Sequence, residues 1–170
     1  GSPLALLQRL RGYKEAEQVA GPDLMPALWE ATENTGISHY FYGSTQQTVD
    51  ALKRNLEKKY PGLKIAGMES PPFRTLSEAE DEEAVRRINE SGASFVWVGL
   101  GAPKQERWMY EHQNRINALM LGVGAGFDFH AGTVSCVQKT AVRISGSEKA
   151  AARVCRMLRD VREEHGLWVI

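Results

Sequence analysis

The stretch Phe95-Val96-Trp97-Val98-Gly99-Leu100-Gly101-Ala102-Pro103-Lys104-Gln105 decides the fold. Its first four residues are bulky β-formers with no polar position among them, which predicts a strand buried on both faces. Glycines end the run abruptly, and Gln105 to about Gln113 reads as a helix. A second apolar strand follows at Ala118-Leu119-Met120-Leu121-Gly122-Val123. Strand, small-residue turn, helix and strand make the repeating unit of a parallel sheet with right-handed crossovers.

The same alternation extends toward the N-terminus. Ser77-Glu78-Ala79-Glu80 is a capping box that opens a helix to Ser91, with Ala84, Val85 and Ile88 inward. Leu63 to Gly67 reads as a strand. Thr45 to Tyr60 reads as a helix with Val49, Leu52 and Leu56 on one face. Ser38-His39-Tyr40-Phe41-Tyr42 is a further strand. Pro22 opens a helix carrying Leu24, Met25, Leu28 and Trp29, which should close near Thr35-Gly36. The expected fold is α/β, Rossmann-like, a mainly parallel sheet with helices on both faces. Residues 1–134 form its core and 135–170 a basic helical tail. In that tail Ala151, Val154, Leu158 and Val161 share one helix face, and Arg153, Arg156, Arg159 and Arg162 give a basic side. Such a helix either lies on anionic lipid or packs on the sheet with its charges solvated.

Composition narrows the class. The 170 residues are 42% hydrophobic and 25% charged, ordinary for a globular domain and unlike a disordered or coiled-coil chain. Twenty-one basic side chains balance twenty-one acidic ones, so the basic footprint of a nucleic-acid binder is missing. Cys136 and Cys155 make neither a disulfide framework nor a metal-ligand spacing, which fits reduced thiols in the cytoplasm. The longest uncharged apolar run, Ala118 to Phe127, is too short to span a bilayer. Gly1-Ser2 stands where an initiator methionine is expected, so the natural chain should begin earlier.

In an open parallel sheet, ligands bind beyond the carboxyl ends of the strands. Four small-residue loops are expected on that edge: Gly43-Ser44-Thr45, Gly67 to Phe73, Gly99 to Gln105, and Gly122 to Gly126. Together they favour a phosphate-bearing ligand held by backbone and helix N-termini. Gly99-Leu100-Gly101 is not a dinucleotide fingerprint, because Lys104 stands where the third glycine belongs. Walker A, Gly-x-Ser-x-Gly and His-Glu-x-x-His patterns are absent from the sequence. The Gln105 amide suits a sugar hydroxyl or phosphate oxygen. Glu106 either joins it or stabilises the helix start. Asp128, between Phe127 and Phe129, is either a paired structural acid or a ligand contact in a cleft loop. Pro71-Pro72 could present Ser70 and Arg74 to a phosphate, or leave Arg74 solvated. His39, His130 and His165 read as incidental.

Several of these blocks recur together in one family. Val19-Ala20-Gly21-Pro22-Asp23-Leu24-Met25, Tyr60-Pro61, Gly67 with Ser70-Pro71-Pro72-Phe73, Gly99 to Glu106, and Gly122 to Thr133 resemble the WecG/TagA/CpsF glycosyltransferases, glycosyltransferase family 26. The likeness covers about residues 17–134. It implies an inverting, metal-independent bacterial transferase that uses no cofactor. Its donor would be a UDP-sugar, typically UDP-N-acetylmannosamine, and its acceptor N-acetylglucosamine on undecaprenyl diphosphate. The products would serve teichoic acid, common antigen or other cell-surface polymers, made at the inner face of the plasma membrane by an enzyme able to form homo-oligomers.

Carried onto this chain, the resemblance implies that Gln105 and Asp128 are catalytic. Gly43, Ser70, Gly99, Gly101, Pro103, Glu106 and Gly124 would bind substrate, and there would be no metal site. Family members carry further N-terminal βα units with an Asp-Gly motif whose Asp is the general base, so the core here is expected to be N-terminally incomplete. Gln18 replaces the usual Arg before the Val-Ala-Gly block. Val134-Ser135-Cys136-Val137-Gln138-Lys139 replaces the family's Arg-Ala-Pro and the Trp- and Arg-rich appendage that follows it. The alternative is a catalytically silent UDP-sugar-binding or assembly module of the same fold.

Overall fold

The structure is a computed structural model and describes residues 21–134; the tail helix expected within 135–170 lies outside them. The elements run α1 (Gly21–Thr32), β1 (Ser38–Gly43), α2 (Gln46–Lys59), β2 (Lys64–Glu69), α3 (Glu78–Glu90), β3 (Phe95–Gly99), α4 (Lys104–His112), β4 (Leu119–Gly122) and α5 (Gly126–Ala131). Among the described residues the sheet has four strands in the order β2-β1-β3-β4, every neighbouring pair parallel. This is the α/β, Rossmann-like arrangement expected.

Strand periodicity explains the two faces. Phe41, Phe95, Trp97, Leu119 and Leu121 point to one side, where they meet Met25, Leu28 and Trp29 of α1, Leu52 and Leu56 of α2, and Phe127 of α5. Tyr40, Tyr42, Val96, Val98 and Met120 point to the other, against Ala84, Val85 and Ile88 of α3 and Trp108 and Met109 of α4. Helices on both sides are why β3 carries apolar residues at every position before Gly99 and why β1 is buried along its whole length. Each fully buried Leu or Phe contributes about 2 kcal/mol by leaving water.

The helix ends follow the sequence closely. Thr45 caps α2 by accepting from the Thr48 N–H at 3.1 Å. Ser77 and Glu80 complete both halves of the capping box on α3. Glu80 also takes a bidentate pair from Arg74 at 2.6 and 2.7 Å, and these hydrogen bonds hold its carboxyl down to about 2.

Three sequence readings need correction. β2 runs on to Glu69, so Gly67 lies within the strand rather than in the loop after it. A Cβ there would stand 2.3 Å from the ring of Tyr40, which is the reason for glycine at that position. The segment after β4 turns helical at Gly126, so Asp128 sits in the first turn of α5, not in a loop. A run of only six residues, closed by Gly132 in the left-handed conformation, leaves too short a period to read.

His39 is the third correction. It is fully buried between α1 and β3, not incidental. Its Nδ1 accepts from the Trp97 indole N–H at 3.1 Å. Thr32 Oγ1 donates to the Leu28 carbonyl at 2.6 Å, so His39 Nε2–H is the donor in the 2.9 Å contact with Thr32. The neutral ring is thereby satisfied at both nitrogens, and burial pushes its pKa down to about 4.

Candidate functional site

The connection from β1 leads through α2 to β2, and that from β3 leads through α4 to β4, on the opposite face of the sheet. The chain therefore diverges between the carboxyl ends of β1 and β3, the position where open α/β sheets form a ligand crevice. Gly43 and Gly99 are register partners there. Gly43 has φ +140°, and a Cβ on it would lie 2.5 Å from the Gly99 backbone. The floor of the crevice is consequently bare main chain.

Ser44 follows with φ 57°, the left-handed region that a non-glycine residue enters at a cost of about 1–2 kcal/mol. Each of its polar groups is engaged. Its N–H donates to the Gly99 carbonyl at 2.9 Å, its carbonyl accepts from Ser70 Oγ at 2.8 Å, and its hydroxyl donates to Asp128 Oδ1 at 3.2 Å. Thr48 Oγ1 donates to the same Asp128 oxygen at 3.1 Å. Asp128 is thus held by hydroxyls against the N-terminus of α2 while remaining partly exposed. Backbone strain maintained by this many contacts is characteristic of a site rather than a connector.

Gln105 belongs to a second group. It is buried at the start of α4, and its Oε1 accepts from the Gly124 N–H at 3.0 Å while Nε2 donates to Glu106 Oε1 at 3.3 Å. The amide thereby ties the β3–α4 loop to the β4–α5 turn. Glu106 Oε2 is buried and has no hydrogen-bond partner among the described residues. Gly101 and Pro103 brace the same helix start, their carbonyls accepting from the N–H groups of Gln105 and Arg107. The structure therefore gathers the expected residues into two clusters, Gly43, Ser70, Gly99 and Asp128 in one, and Gln105, Glu106, Gly101, Pro103 and Gly124 in the other. Arg74 belongs to neither, since Glu80 engages it.

His130, expected to be incidental, has a structural part in holding α5. Its Nε2 contacts the Pro22 carbonyl at 2.7 Å and its ring meets the Trp29 face edge-on at 4.9 Å, while burial lowers its pKa. Asn55 of α2 donates to the His130 carbonyl at 2.9 Å. Asp128 accordingly rides on a helix fixed from two sides.

A feature with no sequence signal lies across the Gly43–Gly99 ridge, between α3 and α4. A cavity of about 660 Å³ opens there, with Tyr42, Trp108 and His112 among its walls. Trp108 stacks on Tyr42 at 4.7 Å and on His112 at 4.2 Å. His112 Nδ1 lies 2.6 Å from the Trp108 carbonyl and its Nε2 2.9 Å from Asp81, which also accepts from Arg115 at 2.7 Å. Burial and the charges of Glu69 and Asp81 push the Tyr42 hydroxyl up to about 12, so it is a neutral donor at any ordinary pH. Asp81 and His112 are 31 residues apart on separate helices, a pairing that only the crossover creates. Among the described residues no group of three or more His, Cys, Asp and Glu is placed to hold a metal ion.

Comparison with known proteins bears on what such a crevice does. A model described as the glycosyl transferase WecG/TagA/CpsF family matches residues 1–145, wider at both ends than the motif blocks of residues 17–134. Over 118 residues the chain is 29% identical to proteins of Staphylococcus aureus strains NCTC 8325 / PS 47 and COL. Both are named N-acetylglucosaminyldiphosphoundecaprenol N-acetyl-beta-D-mannosaminyltransferase. The relative from strain MRSA252 carries the same name at 28% identity. The aligned region is 69% of this chain and 44% of each relative, so the chain spans less than half the length of the curated proteins it matches.

Proposed function

The chain belongs to the WecG/TagA/CpsF glycosyl transferase family, and from that membership we propose that it forms the donor-binding core of an enzyme moving N-acetylmannosamine from a UDP-sugar to N-acetylglucosamine on undecaprenyl diphosphate. The observation that carries this reading is the Ser44–Asp128 contact over the bare Gly43–Gly99 ridge. A sugar nucleotide is polar along its whole length and needs close backbone approach at its diphosphate. It also needs a carboxylate that accepts from ribose or sugar hydroxyls. Asp128, with its hydroxyl bonds converging on Oδ1, supplies such an acceptor.

In an inverting transfer the acceptor hydroxyl loses its proton to a carboxylate as the nucleotide diphosphate departs. The developing negative charge on the leaving diphosphate is stabilised by amides and helix N-termini fixed in advance. Here the loops after β1 and β4 supply those groups, and Gln105 ties the β4–α5 turn to the β3–α4 loop. The acceptor's lipid places the reaction at a membrane surface, in cell-wall polymer synthesis at the inner face of the plasma membrane. No helix among the described residues is long and apolar enough to cross a membrane.

Calorimetric titration with UDP and UDP-N-acetylmannosamine, followed by a turnover assay on lipid-diphosphate N-acetylglucosamine, tests the proposal. Saturable UDP binding abolished by Asp128→Ala is the expected result. Absence of heat at millimolar UDP would sink the donor assignment, and binding without turnover would identify a silent sugar-nucleotide module.

A further inference from the structure

The cavity between α3 and α4 lies outside the residues assigned to the donor, and its chemistry differs from that of the Asp128 cluster. Lys104 and Arg107, one helical turn apart on α4, reach it from one side, and Arg115 from the other. Arg115 is committed to Asp81, and Arg74 to Glu80, whereas Lys104 and Arg107 form no ion pair among the described residues. The acidic side chains facing the same space are Glu78 and Glu111, both exposed, besides the engaged Asp81.

Two observations point to a ligand in that space. Trp108 is only 8% exposed, yet its indole N–H finds no acceptor among the described residues. A buried donor left unmet costs about 1–3 kcal/mol, which a bound oxygen would remove. Pro103 caps α4 without any side-chain hydrogen bond, so the positive end of that helix carries no capping side chain beside Lys104. Pro71, Pro72, Leu76 and Leu100 make the rest of the wall largely apolar, beside Thr75 and Ser77. Phe73, between the lining residues Pro72 and Arg74, stands 81% exposed. Cations and N–H donors next to an apolar wall and an exposed aromatic ring fit an anion joined to a hydrocarbon chain.

We propose that this cavity is a diphosphate-ester site for the lipid-linked acceptor, with its phosphates at Lys104, Arg107 and the α4 N-terminus and its prenyl chain leaving over Phe73. The inference rests on the glycosyltransferase reading above. It puts the two substrates on opposite sides of the Gly43–Gly99 ridge, so that donor sugar and acceptor sugar meet above main chain, where no side chain intervenes.

Three probes separate the sources of a diphosphate: farnesyl diphosphate, UDP and inorganic diphosphate, each titrated into the chain and into the double variant Lys104→Ala, Arg107→Ala. Both positions are exposed, so the variant should fold, and an unchanged circular dichroism spectrum and melting temperature verify it. Farnesyl diphosphate should lose about tenfold in affinity in the double variant, while UDP is unaffected. Phe73→Ser should weaken farnesyl diphosphate but not inorganic diphosphate. Asp128→Asn should weaken UDP alone. If the double variant weakens UDP as much as the prenyl ester, the cavity belongs to the nucleotide and the proposal falls. It also falls if farnesyl diphosphate does not bind, or binds no tighter than inorganic diphosphate, while UDP binding through Asp128 persists. If instead UDP fails to bind and farnesyl diphosphate depends on Lys104 and Arg107, the donor reading fails and the prenyl-diphosphate site stands.

Discussion

Ser44 Oγ and Asp128 Oδ1 lie 3.2 Å apart although 84 residues separate them, and the bond joins the end of β1 to the first turn of α5. It also fixes a serine in a conformation that serine disfavours. Ser44→Gly removes that strain, worth about 1–2 kcal/mol, and loses a hydrogen bond worth about 1 kcal/mol. The melting temperature should therefore stay within a few degrees, about 4 °C per kcal/mol at this size. UDP affinity should fall at the same time, because Asp128 loses a partner that aims it. A variant that binds UDP as tightly as the parent would reduce Ser44 to a turn residue.

Gly43→Ala should behave in the opposite manner. The new methyl would stand 2.5 Å from the Gly99 backbone at a φ of +140°, so neither strand can yield without breaking the register between them. A loss of about 3 kcal/mol or more is expected from overpacking and strain together. Urea unfolding measures it. A cost below about 1 kcal/mol would mean that the crevice floor is far softer than its geometry implies.

Gln105→Ala leaves the Gly124 N–H without its acceptor and should cost about 1–3 kcal/mol. Gln105→Glu is the more informative exchange. It retains an oxygen for Gly124 but turns the donor facing Glu106 into a second carboxylate oxygen, so two negative groups meet near 3.3 Å. That variant should be destabilised at neutral pH and recover relative to the parent as the solution is acidified through the carboxylate range. Denaturant midpoints at several pH values decide the matter, and a pH-independent deficit would refute the charge argument.

His39 should set an acid limit on the fold. Its pKa drops on folding from 6.5 to about 4 because burial disfavours the charged ring. Between those values the unfolded chain binds the extra proton. Stability is thus intact above about pH 6.5, declines as pH falls, and has lost its full contribution of about 3 kcal/mol below about pH 4. His39→Gln, which does not titrate, should flatten this part of the profile. Urea titrations at about pH 7 and pH 4.5 on both proteins measure the difference, and parallel losses would exclude His39 as the cause.

The strand and helix pattern was legible because both faces of the sheet are covered, so β3 and β4 advertise themselves as unbroken apolar runs and β1 as a short aromatic one. The capping box at Ser77 was equally plain, being local chemistry. α5 escaped because a six-residue helix offers too little repeat, and its first turn looked like a glycine loop. Gln105, Gly99 and Asp128 stood out through their setting in small-residue loops. What Gln105 touches did not, since Gly124 is brought to it by β4. The Asp81–His112 pair and the cavity beside it were illegible for the same reason. Neither residue sits in a motif, and their proximity exists only once α3 and α4 lie on one face.

The two sides of the crevice rest on different halves of the core. The Asp128 side rests on α2 and α5, which share one half of the hydrophobic core, and the Lys104 side rests on α3 and α4, which share the other. Between them stands peptide backbone, which mutation cannot redecorate. A substitution in one set of helices therefore reaches the opposite side through few links, chiefly the 3.0 Å Gln105–Gly124 bond that joins the start of α4 to the turn before α5.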